Sequence, residues 1–178
     1  MNSRIRLVDA GAADAGALAS AGARLFEQAY GKYSEPGDLA AHVREYFGRE
    51  CVTAELQKPE VSYTIAYDAI DIAGFVKIRR GRAPDGMPAA EAVEVQQLYV
   101  DAGRQRRGVG TALMNRAVAT AREEGHAGLW LSVWQDADWA TRFYESYGFE
   151  KSGTAEFRLG RSCFLDDLMW FGLVGAGE

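Results

Sequence analysis

Apolar residues recur along the chain in two rhythms, and the switches between them mark out the elements. Leu18, Ala21, Leu25 and Ala29 fall at helical spacing in a segment that begins at Gly11 and is broken at Gly31. Glu35-Pro36-Gly37-Asp38 announces a second helix, with Leu39, Val43 and Tyr46-Phe47 on one face. A shorter helical run, Glu50 to Gln57, stops before Pro59. Val61 to Tyr67 and Ile72 to Ile78 are β-rich runs separated by Asp68-Ala69-Ile70-Asp71, so they predict a hairpin. Arg4 to Val8 predicts a first strand, and Gly81 to Pro88, with two prolines and two glycines, predicts a loop.

The second half is more regular. An extended apolar run, Val93 to Val100, gives way to a polar loop from Asp101 to Arg107. Two glycines then open a helical pattern in which Val109, Leu113, Ala117 and Ala121 share a face, and Gly125 terminates it. A strand follows at Leu129 to Trp134, then a helix from about Asp138 to Tyr147, closed by Gly148. This order predicts an α/β fold, a mixed central sheet with helices on both faces. The helix between the two apolar strands should make a right-handed parallel crossover. No repeat, linker or low-complexity tract interrupts residues 1–178, which are expected to form one domain.

Composition narrows the function classes. Hydrophobic residues make up 48% and charged residues 25% of 178 residues, close to globular averages. A net charge of −5 argues against a nucleic-acid partner, since duplex binders need a clustered basic face. Local basic groups occur at Arg79, Arg80 and Arg82, and again at Arg104, Arg106 and Arg107. Cys51 and Cys163 are far apart with no neighbouring histidine, so no metal and no disulfide is expected. His42 and His126 are assigned to surface or packing roles. No signal peptide or membrane span is visible, and a cytoplasmic setting is the expectation.

Candidate chemistry concentrates at Gln105-Arg106-Arg107-Gly108-Val109-Gly110. Glycine lets another group approach the backbone, and the first amides of a helix have no intrahelical acceptor. The macrodipole adds roughly half a positive charge there. A strand, a basic glycine-containing loop and a helix N-terminus in succession therefore suit a diphosphate. A Walker loop is excluded because Thr111 follows Gly110 with no lysine between. A Rossmann fingerprint is a poor fit, with Leu113 where a small residue belongs and no acidic residue in Leu129 to Val133.

Gln-x-x-Gly-x-Gly after Leu98-Tyr99-Val100 resembles the acyl-coenzyme A signature of the GCN5-related N-acetyltransferase (GNAT) superfamily. Downstream, Leu131-Ser132-Val133 followed by Ala140 to Phe149 is similar to the family's second core segment, a strand and a helix bearing a Phe-Tyr pair. The Leu159-Gly160 turn and Asp167-Leu168-Met169 strand are similar to its closing hairpin. One position departs: an asparagine that often bonds the cofactor arm in the family is Ala137 here. The resemblance implies a GNAT-like sheet of about seven strands, acetyl-coenzyme A as co-substrate and direct acetyl transfer to an amine in a ternary complex.

It also implies roles. Leu98, Tyr99 and Val100 would pair with the pantetheine amides, as an added strand does at a sheet edge. A backbone N–H near Leu98, beside a bulge, would hold the thioester carbonyl. The backbone of Arg106, Arg107, Gly108, Val109, Gly110 and Thr111, with Gln105, would take the pyrophosphate. Tyr144 matches the tyrosine that protonates the departing thiolate; a phenol, with a reference pKa of about 10, is protonated at neutral pH. Glu94 is the candidate proton acceptor, with Glu91, Asp136 and Asp138 as alternatives.

Acceptor choice is expected in the first helices and the Gly81 to Pro88 loop, with Phe26, Tyr30, Tyr33 and Tyr46 as an aromatic wall. The early helices loosely resemble polyamine-type acetyltransferases, while amino-acid, aminoglycoside and peptide amines stay open. Trp130, Trp134 and Trp139 are assigned to core packing rather than to a pocket wall. Three classes remain: an enzyme, a non-catalytic acyl-coenzyme A sensor or assembly module, and a scaffold or dimerisation domain. A homodimer is compatible with all three.

Overall fold

Strands with near-continuous apolar runs can carry helices on both faces, and this chain uses both sides of one sheet. The computed structural model describes residues 5–173. In chain order the elements are β1 (Arg6–Asp9), α1 (Ala15–Tyr30), α2 (Pro36–Phe47), α3 (Arg49–Leu56), β2 (Val61–Asp68), β3 (Asp71–Arg82) and β4 (Glu91–Val100). They continue with α4 (Val109–Glu123), β5 (Gly128–Trp134), α5 (Asp138–Tyr147), β6 (Glu150–Leu159) and β7 (Ser162–Gly172). The seven strands lie in the order β1-β2-β3-β4-β5-β7-β6. Neighbours are antiparallel except β4 and β5, which α4 joins as a parallel pair.

The period-2 pattern of β3 separates two cores. Val76 and Ile78 face α4, where Leu113, Met114, Ala117, Val118 and Ala121 pack on Val93, Val95, Leu129 and Leu131. Phe75 belongs to the other core, with Leu18, Leu25 and Phe26 of α1, Val52 of α3, and Tyr63 and Ile65 of β2. Leu113 and Met114 have no exposed surface. Each contributes about 2 kcal/mol by leaving water. The helical stripe therefore fixes α4 against the sheet centre and sets where its N-terminus emerges.

Lys77 lies on the Phe75 side, and its side chain is 5% exposed. A buried ammonium needs a charged partner, and Glu55 on α3 supplies it at 2.5 Å while also accepting from Tyr63 at 2.5 Å. This network ties α3 to β2 and β3.

Element boundaries differ from the sequence reading where polar residues carry the pattern. β3 continues past Ile78 to Arg82 because β4 offers a ladder partner as far as Glu91. The predicted loop shrinks accordingly. Arg80 finds Glu124 at 2.5 Å, so its charge is satisfied inside a strand. α1 begins at Ala15 rather than Gly11, after a single tight turn in which the Gly11 N–H donates to Asp14. Arg4, assigned to the first strand, lies outside the described residues.

Candidate active site

β4 and β5 hold together over only two pairs, Val93 with Leu129 and Glu94 with Trp130. Beyond Glu94 they diverge, so one edge of β4 from Val95 to Val100 has no strand partner among the described residues. On its other edge β4 stays paired with β3, but with a bulge: Lys77 faces Gln97 and Ile78 faces Val95, leaving Gln96 as the extra residue. A bulge bends its strand and increases twist, which is the local cause of the opening. The Gln97 side-chain Oε1 is buried there without a hydrogen-bond partner among the described residues.

The loop after β4 turns sharply into α4. Asp101 accepts from the Gly103 N–H at 3.0 Å and pairs with Arg24 of α1. Arg104 is engaged by Asp68 at 3.2 Å and Asp71 at 2.9 Å. It braces the loop against the β2–β3 turn instead of joining a cationic cluster. Arg106 and Gly108 both adopt positive φ, +61° and +81°, and such alternation gathers successive N–H groups into a concavity. Gly108 caps α4, and the first intrahelical donor is the Ala112 N–H, to Gly108 at 2.9 Å. The amides of Val109, Gly110 and Thr111 thus have no backbone acceptor among the described residues.

These parts share a groove of about 350 Å³ lined by Leu98, Val100, Gln105, Arg106, Gly108 and Gly110, with Thr111, Trp139, Ala140, Phe143 and Tyr144 completing it. α5 forms the opposite wall because its apolar face turns Phe143 and Tyr144 inward, while Phe143 and Tyr144 meet edge to face at 5.3 Å. Burial pushes the Tyr144 phenol well above its ordinary value, and Tyr30 adds to the shift. Its proton is held throughout the neutral range. Arg107 is exposed and outside this lining, and the Val109 side chain is buried in the core, so only its backbone faces the loop.

A second chamber of about 130 Å³ opens from the same wall. Leu98, Trp139, Ala140 and Tyr144 border both spaces, and the chamber adds Tyr30, Gln97, Tyr99, Ser132 and Trp134. Tyr30 is pushed up to about 12 by burial and by nearby Asp166. Asp166 lies on β7 opposite Trp134, is 7% exposed, and accepts from the Ser132 hydroxyl at 2.5 Å through Oδ2. Burial raises its carboxyl pKa, the Ser132 bond opposing and the neighbouring Asp167 reinforcing.

Glu94 stands at the last β4–β5 pair, in a separate hollow of about 290 Å³ with Arg79, Arg80, Gly81, Arg82 and Trp130. Burial raises its pKa, while Arg79 and Lys77 pull the other way. Its hollow shares no lining residue with the groove that holds Tyr144.

The aromatic wall divides. Phe26 is 2% exposed in the core and stacks with His42 at 4.5 Å. Tyr46 packs on the far side of His42. Tyr30 alone of the four borders the chamber, while Tyr33 meets Trp134 edge-on at 4.7 Å. Trp139, assigned to the core, is instead 51% exposed and borders both spaces. Asp166 escaped the sequence reading altogether. Its only signal was an acidic residue on the inward phase of a strand otherwise carrying Phe164 and Leu168.

Comparison with known proteins gives a consistent result. Residues 24–149 match the model of the Acetyltransferase (GNAT) family. An uncharacterized N-acetyltransferase of Mycobacterium tuberculosis is 33% identical over 147 residues, 83% of this chain and 90% of that protein. Another, from Lactobacillus delbrueckii subsp. lactis, is 27% identical over 150 residues, 84% of this chain and 86% of its own. In fold, the PaiA N-acetyltransferase from Thermoplasma acidophilum, solved in complex with coenzyme A, aligns with a TM-score of 0.78 at 16% identity, covering 96% of this chain and 99% of that one.

Proposed function

The chain belongs to the GNAT acetyltransferase family, and on that premise we propose that it moves an acetyl group from acetyl-coenzyme A to a primary amine by direct transfer in a ternary complex. The observation that carries this reading is a single groove combining an unpaired strand edge at Leu98 to Val100 with an unsatisfied helix N-terminus. An extended pantetheine arm pairs with the first, and a pyrophosphate accepts from the amides of the second. Arg106 and Gln105 stand beside that anion position. The coenzyme A bound by the Thermoplasma protein supports the assignment.

In the reaction the amine nitrogen attacks the thioester carbon, the C–S bond breaks, and the thiolate takes a proton. A backbone N–H of β4 near Leu98 would steady the developing oxyanion; one such donor is worth roughly 3 kcal/mol. Tyr144 is the proposed proton donor to sulfur because it lines the groove and carries its proton at neutral pH; its burial-raised pKa must come down when the thiolate forms beside it. Glu94 is the proposed acceptor of the amine proton, which would have to reach its separate hollow through water; burial raises its pKa and so favours its holding a proton. The alternative of a binding module without turnover is favoured by Ala137, which offers no side-chain amide to the cofactor arm.

Calorimetric titration with coenzyme A and thiol release from acetyl-coenzyme A with a panel of amines test this reading. We expect micromolar binding and turnover that falls about a hundredfold or more in Tyr144→Phe, within the range for loss of a general acid. Absence of coenzyme A binding refutes the proposal. Binding with no turnover of any amine supports the module instead.

A further inference from the structure

The chamber beside the groove has no charged side chain in its lining among the described residues. The groove has Arg106 in its wall, and the Glu94 hollow has Arg79, Arg80 and Arg82. The chamber is walled instead by Tyr30, Tyr99, Trp134, Trp139 and Tyr144, with Ser132 among its polar groups. Asp166 lines no part of it, and the unpaired Oδ1 of that residue is buried. The phenols of Tyr63 and Tyr147 are paired with Glu55 and Asn115, whereas those of Tyr30, Tyr99 and Tyr144 have no hydrogen-bond partner among the described residues.

These walls treat an amine in a definite way. A hydroxyl can donate to a neutral amine or accept from it, but it cannot neutralise an ammonium. Stripping water from an ammonium with no counter-charge favours its neutral form, which is the form that attacks a thioester. Any further ammonium on the same molecule would enter unmatched, at a large cost. Size narrows the choice. The chamber measures about 130 Å³, and an apolar cavity of about 150 Å³ takes one benzene. Trp134 is held in place by edge-on contacts with Tyr33 at 4.7 Å and Phe164 at 5.4 Å. A ring entering beside it meets an aromatic surface already fixed, so little freedom is lost on binding.

We infer that the chamber selects an acceptor with a single amino group carried on a short alkyl arm from an aromatic ring, an arylalkylamine. The inference rests on the acetyltransferase reading for the position of the reacting end. The amine lies at the wall shared with the groove, beside Leu98, Ala140 and Tyr144. The ring occupies the section walled by Tyr30, Tyr99 and Trp134. A polyamine brings additional ammonium groups to walls that cannot match them.

The test titrates 2-phenylethylamine, butylamine and 1,4-diaminobutane calorimetrically into protein saturated with coenzyme A, or into coenzyme-free protein if coenzyme A does not bind. Wild type is expected to bind 2-phenylethylamine about tenfold more tightly than butylamine, through its ring contacts, and 1,4-diaminobutane most weakly. Ala29 borders the chamber from the last turn of α1. Ala29→Asp supplies a carboxylate and should lift 1,4-diaminobutane above butylamine. Ala29→Asn has the same shape without the charge and should keep the wild-type order. No binding of 2-phenylethylamine, binding no tighter than that of butylamine, or an equal affinity for 1,4-diaminobutane in wild type overturns the proposal. Identical orders in the two Ala29 variants overturn the role given to the missing charge. Coenzyme A binding is measured in its own titration, and its failure counts against the acetyltransferase reading alone.

Discussion

Gly110→Ala separates the needs of the fold from those of the ligand. Gly110 is the second residue of α4 and has no positive φ, so its backbone suits any residue. A Cβ built there would lie 3.5 Å from the Phe143 ring and 3.7 Å from Val100, which is ordinary contact. The protein can therefore accept the methyl without repacking. Alanine loses less chain entropy than glycine in a helix, a gain of roughly 0.5 kcal/mol at the low end of the usual range. For a chain this size that raises Tm by about 1–2 °C. The same methyl stands on the floor of the groove between Phe143 and Val100, where the proposed coenzyme arm must press against the backbone. Overpacking of this kind costs about 1–3 kcal/mol, and each 1.4 kcal/mol is tenfold in affinity. Urea denaturation and coenzyme A calorimetry on the same sample should show stability rising while affinity falls about tenfold or more. Unchanged affinity would mean that the coenzyme does not pass over Gly110, and the groove assignment would fail.

Three further outcomes follow from the charges. Glu94→Gln should remove the acid limb of the kcat/KM profile, which in wild type lies above the ordinary carboxylate range because burial raises Glu94; a limb unchanged by the substitution excludes Glu94 as the base. Glu55→Ala strands the buried Lys77 and should cost roughly 3 kcal/mol in denaturant midpoint analysis, typical of half a buried pair. Glu124→Gln should cost about 1 kcal/mol at neutral pH. The Arg80 hydrogen bonds hold the Glu124 carboxyl below its usual range. That stabilisation is complete above the unfolded-state pKa and is lost as pH falls through the folded value. The difference between wild type and Glu124→Gln should accordingly vanish on acidification, as read by thermal melts at stepped pH.

What the sequence determined by itself is what short-range physics encodes. The α4 stripe Val109, Leu113, Ala117 and Ala121 and the β-rich run Ile72 to Ile78, buried on both faces, fit a sheet with helices on both sides, which the order of elements predicts. Gly108 opening a helix whose first amides lack acceptors was legible because the cause is local to six residues. The helix that carries Tyr144 was likewise legible, through the segment around it.

Tertiary structure decided whatever depends on a partner distant in sequence. Arg104 resembled Arg106 and Arg107 as a cation at the loop, and only the approach of Asp68 and Asp71 assigns it to bracing. Phe26 and Tyr30 sit one helical turn apart, yet one is core and the other borders the chamber, because α2 covers the first and the β4–β5 divergence uncovers the second. Asp166 shows the limit most clearly. In sequence it is one of two adjacent aspartates on a strand; among the described residues Lys151 and Gln135 reach Asp167, while Asp166 is left with the Ser132 hydroxyl.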